Sequence, residues 1–239
     1  MKNKIVILTG ASVGIGRATA VEFSKQGAVV GLVARSIYDL NKTLDLVKKN
    51  KGSGEIFPTD LTDVNAIEKL AKDVKRKWNR VDILVNVAGV WHNKEKAYYG
   101  INFTDYSTDE ILETYGVGIT APTLLSHKLI PIMKKGSKII NISGTFESGA
   151  KGWLPYFVSK KAIEDLTIGL SQELEGKGIQ VNCISPSDVA TEPYKKFFPE
   201  YATPENALHP EDVAKQIVSL ASENSNITGQ IIVVKKGSP

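Results

Sequence analysis

Tyr156 and Lys160 stand four residues apart in the run Tyr156-Phe157-Val158-Ser159-Lys160. On a helix, residues i and i+4 share a face, so both side chains can point at one cleft. A free tyrosine has a pKa of about 10 and is a slow acid–base catalyst at neutral pH. A neighbouring ammonium favours the phenolate and lowers that pKa, as does the positive charge of an oxidised nicotinamide. A phenol so tuned gives a proton to a carbonyl oxygen or takes one from an alcohol. Taken in isolation, the pair reads as an ordinary Tyr and Lys on an amphipathic surface helix. Beside a dinucleotide-binding turn it reads as catalytic.

Such a turn lies near the start of the chain, in Thr9-Gly10-Ala11-Ser12-Val13-Gly14-Ile15-Gly16. It follows Lys4-Ile5-Val6-Ile7-Leu8, an apolar run bounded like a buried strand. It precedes Arg17 to Gln26, where Ile15, Ala18 and Phe23 fall at helical spacing and Gly27 supplies a stop. A backbone that must approach a pyrophosphate leaves no room for side chains, and the following helix offers unpaired N–H groups and a partial positive charge. The spacing is Gly-x-x-x-Gly-x-Gly. A tight strand-to-helix connection is the plain alternative, but the position at the first strand of a βαβ pattern favours the phosphate cradle.

The elements that must position these groups alternate along the chain. Val29 to Val33 reads as a second strand, ending at Ala34-Arg35-Ser36, and Asp39 to Lys49 as a helix closed by Gly52 and Gly54. Glu55 to Phe57 reads as a short third strand broken by Pro58. A helix carrying Val64, Ile67, Leu70, Ala71, Val74 and Trp78 on one stripe follows. Val81 to Val85 reads as a fourth strand, running into Asn86-Val87-Ala88-Gly89. An aromatic-rich irregular stretch spans Val90 to Tyr106. Ser107 or Thr108 can then cap a helix running towards His127, with Pro122 as a bend or boundary. Lys138 to Ile142, Ile179 to Ile184 and Ile231 to Val234 read as strands. Helices from Pro155 to Glu175 and from Pro210 to about Ser222 separate them, and Ser187 to His209 shows no clear period. The alternation predicts an α/β fold, a doubly wound parallel sheet with helices on both faces, and one domain over residues 1–239.

In an open parallel sheet, ligands bind beyond the carboxyl ends of the strands. That rule collects the glycine turn, Arg35, Asp60 with Leu61, the Asn86–Gly89 segment, Ser143 with Gly144 and Thr145, and Pro186 with Thr191.

Bulk composition excludes several function classes. With 42% hydrophobic and 23% charged residues, the 239-residue chain is ordinary for a soluble protein with a substantial core. The net charge of +4 is spread over scattered lysines, so nucleic-acid binding has no support. The single cysteine, Cys183, rules out an intrachain disulfide and fits a reducing compartment. No clustered His/Cys/Asp set suggests a metal, and no apolar run approaches a membrane span. The first strand starts almost at once, without a signal-peptide pattern. A cytoplasmic protein is expected.

Together these residues resemble the short-chain dehydrogenases/reductases, over nearly the whole chain. Thr9 to Gly16 is similar to that family's glycine-rich turn, and Asp60 to its adenine-contacting aspartate. Asn86-Val87-Ala88-Gly89 is similar to its Asn-Asn-Ala-Gly segment with one change, and Tyr156 with Lys160 to its Tyr-x-x-x-Lys pair. Ile184-Ser185-Pro186 followed by Thr191 resembles the segment closing over the nicotinamide, and Ile227-Thr228-Gly229-Gln230 its C-terminal signature. The resemblance implies a Rossmann-like sheet of about seven strands. It implies NAD(P)-dependent carbonyl reduction or alcohol oxidation on a small-molecule substrate, in a homodimer or homotetramer. It implies a nucleotide site built from Gly10, Ser12, Val13, Gly14, Ile15, Gly16, Arg35, Asp60, Leu61, Asn86, Ala88, Gly89, Tyr156, Lys160, Pro186, Val189 and Thr191.

The chain departs from the family pattern at four places. Gly118 stands where the family has an asparagine that holds a water of the proton relay, leaving space that a water could fill. The family serine falls at Gly144 counted from Ile140-Asn141 and at Ser143 counted back from Tyr156; Ser143 is the expected residue, with Thr145 as a substitute hydroxyl. Ser187 replaces a usual glycine, and Val234-Lys235-Lys236-Gly237 carries lysine where an acid is usual. Ala34 occupies the position of the acid that selects NAD, and Arg35 follows it. That pattern predicts NADP(H) over NAD(H). The aromatics of the segments after strands four and six either line a lid over an apolar carbonyl substrate or simply anchor long loops. The rival to an enzyme is a regulatory or structural nucleotide-binding protein with little catalysis.

Overall fold

In a computed structural model, which describes residues 1–146 and 149–236, strands and helices alternate as the sequence implies. Gly237, the last residue of the C-terminal run noted above, lies outside the described residues. Seven strands, β1 (Ile5–Thr9), β2 (Val29–Ala34), β3 (Ser53–Pro58), β4 (Ile83–Asn86), β5 (Lys138–Ile142), β6 (Gln180–Pro186) and β7 (Ile231–Val234), form one sheet in the order β3-β2-β1-β4-β5-β6-β7. Every pairing is parallel. The order reverses between β1 and β4, which opens a crevice at their carboxyl ends.

The strands read as unbroken apolar runs because helices cover both faces. Val6 and Leu8 join one buried cluster with Phe23, Leu40, Val213 and Ile217. These come from α1 (Gly14–Lys25), α2 (Ile37–Lys49) and α8 (Pro210–Ala221). Ile5 and Ile7 face the other cluster, with Ile67, Leu70, Leu125 and Leu129 from α3 (Val64–Trp78) and α5 (Ala121–Leu129). The two-residue period of a strand thus sorts one run into two cores. On the second face α4 (Thr108–Tyr115) continues through a π-helical turn, Gly116–Thr120, into α5, beside α6 (Leu154–Glu173).

Two readings of the sequence, of β3 and of the stretch from Ser187, need correction, and the choice of cap for α4 is resolved. β3 spans Ser53–Pro58, and Pro58 is its last paired residue, opposite Ala34. Proline is tolerated there because β3 is an edge strand. Ser107 alone caps α4, in a reciprocal capping box with Glu110. The stretch from Ser187 contains a six-residue helix, α7 (Glu192–Phe197), capped by the Thr191 hydroxyl. Among the described residues no helix is long and apolar enough to cross a membrane.

Candidate active site

The glycine turn is built from backbone that tolerates no side chain. A Cβ on Gly16 would lie 2.0 Å from the Gly10 carbonyl oxygen, and one on Gly10 would lie 3.0 Å from the Ala88 nitrogen. Gly10 and Gly14 also hold φ values of +67° and +52°, the left-handed region that favours glycine. Thr9 ties the turn to the next strand: its hydroxyl accepts from the Val87 and Ala88 N–H groups at 3.1 and 3.2 Å. Val13 gives α1 no side-chain cap, and the first turn of α1 holds no acid. The positive end of α1 is therefore left for acceptors from elsewhere.

A cleft of about 330 Å³ opens on this turn. Its walls include Gly10, Ser12, Val13, Gly14, Ile15 and Gly16, and beyond them Arg35, Asp60 and Leu61. Ala88, Gly89 and Thr191 close the far side. Five other residues expected at the nucleotide site lie off this wall, Tyr156 and Lys160 behind Gly89 among them. Asn86 is buried beneath it, donating to Asn141 Oδ1 at 2.9 Å. Pro186 ends β6, where its carbonyl accepts from the Thr145 N–H at 3.0 Å. Val189 bridges to Leu208 and holds the base of the segment carrying α7.

Arg35 and Ser36 stand where β2 meets α2. The Arg35 guanidinium is 62% exposed and pairs with Glu113 of α4 at 3.1 Å. Ser36 caps α2, accepting from the Asp39 N–H at 3.2 Å. Asp60 Oδ1 accepts from the Thr62 N–H and hydroxyl at 2.9 and 2.7 Å. Those bonds, the backbone one first, hold its carboxyl below the usual aspartate range against the opposing effect of burial.

Tyr156 and Lys160 do share a face of α6. Both reach Gly89, where an added Cβ would lie 3.1 Å from Lys160 Nζ and 3.8 Å from Tyr156 Cε2. Lys160 Nζ sits 5.3 Å from the centre of the Tyr156 ring and donates to the Ile142 carbonyl at 2.9 Å. Burial lowers the Lys160 ammonium to about 8. Burial also pushes the Tyr156 phenol above its usual value of 10.0. A phenol lowered by its lysine was the expectation from sequence. In the structure burial is the cause that acts on Tyr156, and it raises the phenol.

Ser143 follows β5 and is 3% exposed, its N–H bonded to the Ile184 carbonyl at 2.9 Å. Its Oγ is buried without a hydrogen-bond acceptor or donor of adequate geometry. Thr145 Oγ1 instead turns to the Pro186 carbonyl at 3.4 Å. Beside Gly118, α6 approaches closely. A Cβ there would lie 2.8 Å from Ser159 Cβ and 2.9 Å from Ser159 Oγ, so α6 itself packs into the gap.

Aromatic side chains from the two long segments meet over this region. Trp91 stacks on Phe198 with centroids 6.0 Å apart, and Phe198 approaches Trp153 at 6.0 Å and Tyr99 at 5.5 Å. Trp153 and Phe146 flank the Tyr156 ring at 6.1 and 5.8 Å. His92 packs between Trp91 and Phe197, and burial lowers its pKa. Lys196 Nζ donates to the Lys94 carbonyl at 2.7 Å, tying α7 to the loop after β4.

The family model described as enoyl-(acyl carrier protein) reductase, one of the short-chain dehydrogenase/reductase models, matches residues 10–238. The chain belongs to the short-chain dehydrogenases/reductases. This is a family of oxidoreductases that use a nicotinamide cofactor. The 3-oxoacyl-[acyl-carrier-protein] reductase FabG of Thermotoga maritima is 32% identical over 254 residues, covering 99% of this chain and 98% of FabG. The oxidoreductase YxbG of Bacillus subtilis is also 32% identical, covering 99% of this chain and 91% of its own. Among solved structures, the keto-reducing LugOII of lugdunomycin biosynthesis superposes with a TM-score of 0.86 at 26% identity, covering 98% of this chain and 97% of that one. A short-chain dehydrogenase/reductase of Serratia marcescens reaches 0.89 at 24% identity, covering 99% and 98%, and shares the fold.

Sequence reasoning missed two acidic residues at this site. Glu113 of α4 pairs with Arg35, and Glu192 of α7 bonds the Gly14 N–H at 3.0 Å. Neither lies in a motif; each reaches the cleft by tertiary packing. The one available signal was the position of Glu192 directly after Thr191.

Proposed function

We propose that the chain is an NADP(H)-dependent carbonyl reductase acting on a small or apolar ketone. The convergence of Tyr156 and Lys160 on Gly89, at the wall of a glycine-cradled cleft, is the observation that carries this reading. The cradle fits a dinucleotide, since Gly10 and Gly16 leave backbone where any Cβ would collide. The α1 N-terminus would hold the diphosphate, Asp60 and Leu61 the adenine end, and Lys160 the nicotinamide ribose. Arg35 would hold a 2′-phosphate, with Ala34 in place of the acid that selects NAD. When bound, the reduced nicotinamide supplies a hydride to the carbonyl carbon.

The chain's own residues handle the proton and the oxygen. Ser143 Oγ, a buried hydroxyl beside the Cys183 thiol, donates to the carbonyl oxygen and polarises it. Tyr156 Oη delivers the proton to that oxygen, and Lys160 steadies the phenolate that remains. The upward push of burial on Tyr156 suits a proton donor at rest. The neighbouring Trp153 and Phe146 rings favour an apolar substrate. The activity named for FabG and the keto-reduction named for LugOII, both reductions of a carbonyl, support the direction. A single cytoplasmic domain assembling as a homodimer or homotetramer accompanies this reading.

A regulatory or structural nucleotide-binding protein is the second reading. It is favoured by Gly118, which brings no side chain where the family has an asparagine and packs against Ser159. NADPH oxidation against diketones, quinones, aldehydes and β-ketoacyl esters separates the two, with Tyr156→Phe run beside the parent. Turnover that falls by about 10²–10⁴-fold in the variant while NADPH still binds supports the reductase. Turnover unchanged in the variant would sink the assigned role of Tyr156. Tight NADPH binding without turnover on any carbonyl favours the second reading.

A further inference from the structure

Glu192, the first residue of α7, spends both carboxylate oxygens on the start of α1. Oε2 accepts from the Gly14 N–H at 3.0 Å, and Oε1 pairs with Arg17 NH1 at 2.9 Å. These are the donor types that a nucleotide diphosphate seeks: a helix N-terminal N–H and a guanidinium. The fit is close. A Cβ on Gly14 would lie 2.7 Å from Thr191 Cγ2, so the capped start of α7 rests directly on the glycine turn. Nothing within α1 supplies this contact, because Val13 gives no side-chain cap and the first turn holds no acid.

We propose that Glu192 is an internal counter-anion for the diphosphate end of the cleft, displaced when the nucleotide binds. The proposal rests on the nucleotide-binding part of the reading above and adds a residue that sets the affinity and the exchange of the cofactor. Glu192 is 56% exposed, so its carboxylate returns to water readily once released. Arg17 stays in place without it. Its guanidinium also donates to the Ser12 carbonyl, and its Nε to Thr43 Oγ1 at 3.3 Å. The guanidinium is thus held ready for the incoming anion. Release of Glu192 also frees the start of α7, the helix whose rings meet Trp91 of the loop after β4. Filling the diphosphate end of the cleft is thereby coupled to the aromatic cover over Tyr156.

Glu192→Gln keeps the shape of the side chain and removes its charge. Dissociation constants for NADPH and for NADH, measured by isothermal titration on parent and variant, test the proposal. Both nucleotides should bind the variant about tenfold more tightly, since they share the diphosphate. The melting temperature of the free variant should fall, while the rise caused by either nucleotide should grow. Equal or weaker binding by the variant, or a gain confined to one nucleotide, would overturn the proposal and leave the functional reading intact. A parent and variant that both bind neither nucleotide would overturn the functional reading, and the counter-anion role with it.

Discussion

Lys160 is 4% exposed, and its ammonium donates to the Ile142 carbonyl at 2.9 Å. Burial lowers it from 10.5 to about 8, which corresponds to about 3 kcal/mol of unfavourable interaction in the folded protein. The sign follows from proton counting. Below about pH 8 both states hold the proton and the cost is fully present. Between about 8 and 10.5 the unfolded chain holds more protons than the folded one, so stability rises with pH. Lys160→Met, which lacks the charge, should be more stable than the parent at pH 7 by about 2 kcal/mol after allowing for the orphaned carbonyl. Urea unfolding at pH 7 and pH 10 should show that gap narrowing; a gap independent of pH would refute the assigned origin. Arg35 carries the second prediction at this scale. Its exposed pair with Glu113 contributes little to stability, so the guanidinium is easily diverted to a phosphate. Arg35→Ala should weaken NADPH binding by about 10–100-fold and leave NADH binding unchanged, as read by titration with both nucleotides. A loss equal for both would assign Arg35 to something other than the 2′-phosphate.

The π-helical turn at Gly116–Thr120 brings the α4–α5 arm against α6 at Gly118, directly over the residue preceding Lys160. Gly118→Ala would force a Cβ to 2.8 Å from Ser159 Cβ and should destabilise the protein by about 1–3 kcal/mol. Gly169→Ala on α6, where an added Cβ meets nothing within 4 Å, should instead stabilise by up to about 1 kcal/mol. Thermal unfolding of the two variants checks the contrast, and a neutral Gly118→Ala would mean the arm can move away. This contact also marks where the sequence stops being legible. The strands were readable because both faces of the sheet are covered, and the glycine turn because its geometry forbids side chains. Tyr156 and Lys160 were readable from their spacing on α6. The gap beside Gly118 was not, because whether a missing side chain leaves a hole depends on how closely the next helix approaches. The start of β3 is hidden because Gly52-Ser53-Gly54 looks like a loop. Gly54 is in fact required in the strand, its Cβ position lying 2.7 Å from the Val30 carbonyl oxygen. α7 escaped notice because six residues carry too little periodicity, and its place is set by Thr191, Glu192 and the ring contacts of Trp91.

Across the whole molecule, the cleft sits where the sheet changes direction, with β1, β2 and β3 on one side and β4 to β7 on the other. The seam itself is short: β1 pairs with β4 through three registered positions, against five with β2. A nucleotide in the cleft would touch residues at the ends of β1, β2 and β3 and also Ala88 and Gly89 beyond β4. Binding to the folded state alone stabilises it by about 2.7 kcal/mol at a hundredfold excess over the dissociation constant. For a chain of this length each kcal/mol raises the melting temperature by about 2–4 °C, so NADPH at that excess should raise it by about 5–10 °C. NADH at the same concentration should raise it less, by the margin that Arg35 sets. Gly16→Ala, whose Cβ would strike the Gly10 carbonyl, should lower the starting temperature and remove the response to both nucleotides. If NADPH gave no shift to the parent at any concentration, the cleft would not be the site where the two halves of the sheet are joined by a ligand. If the Gly16 variant still responded fully, the nucleotide would be held away from the glycine turn, and the roles assigned to α1, Arg17 and Glu192 would fall together.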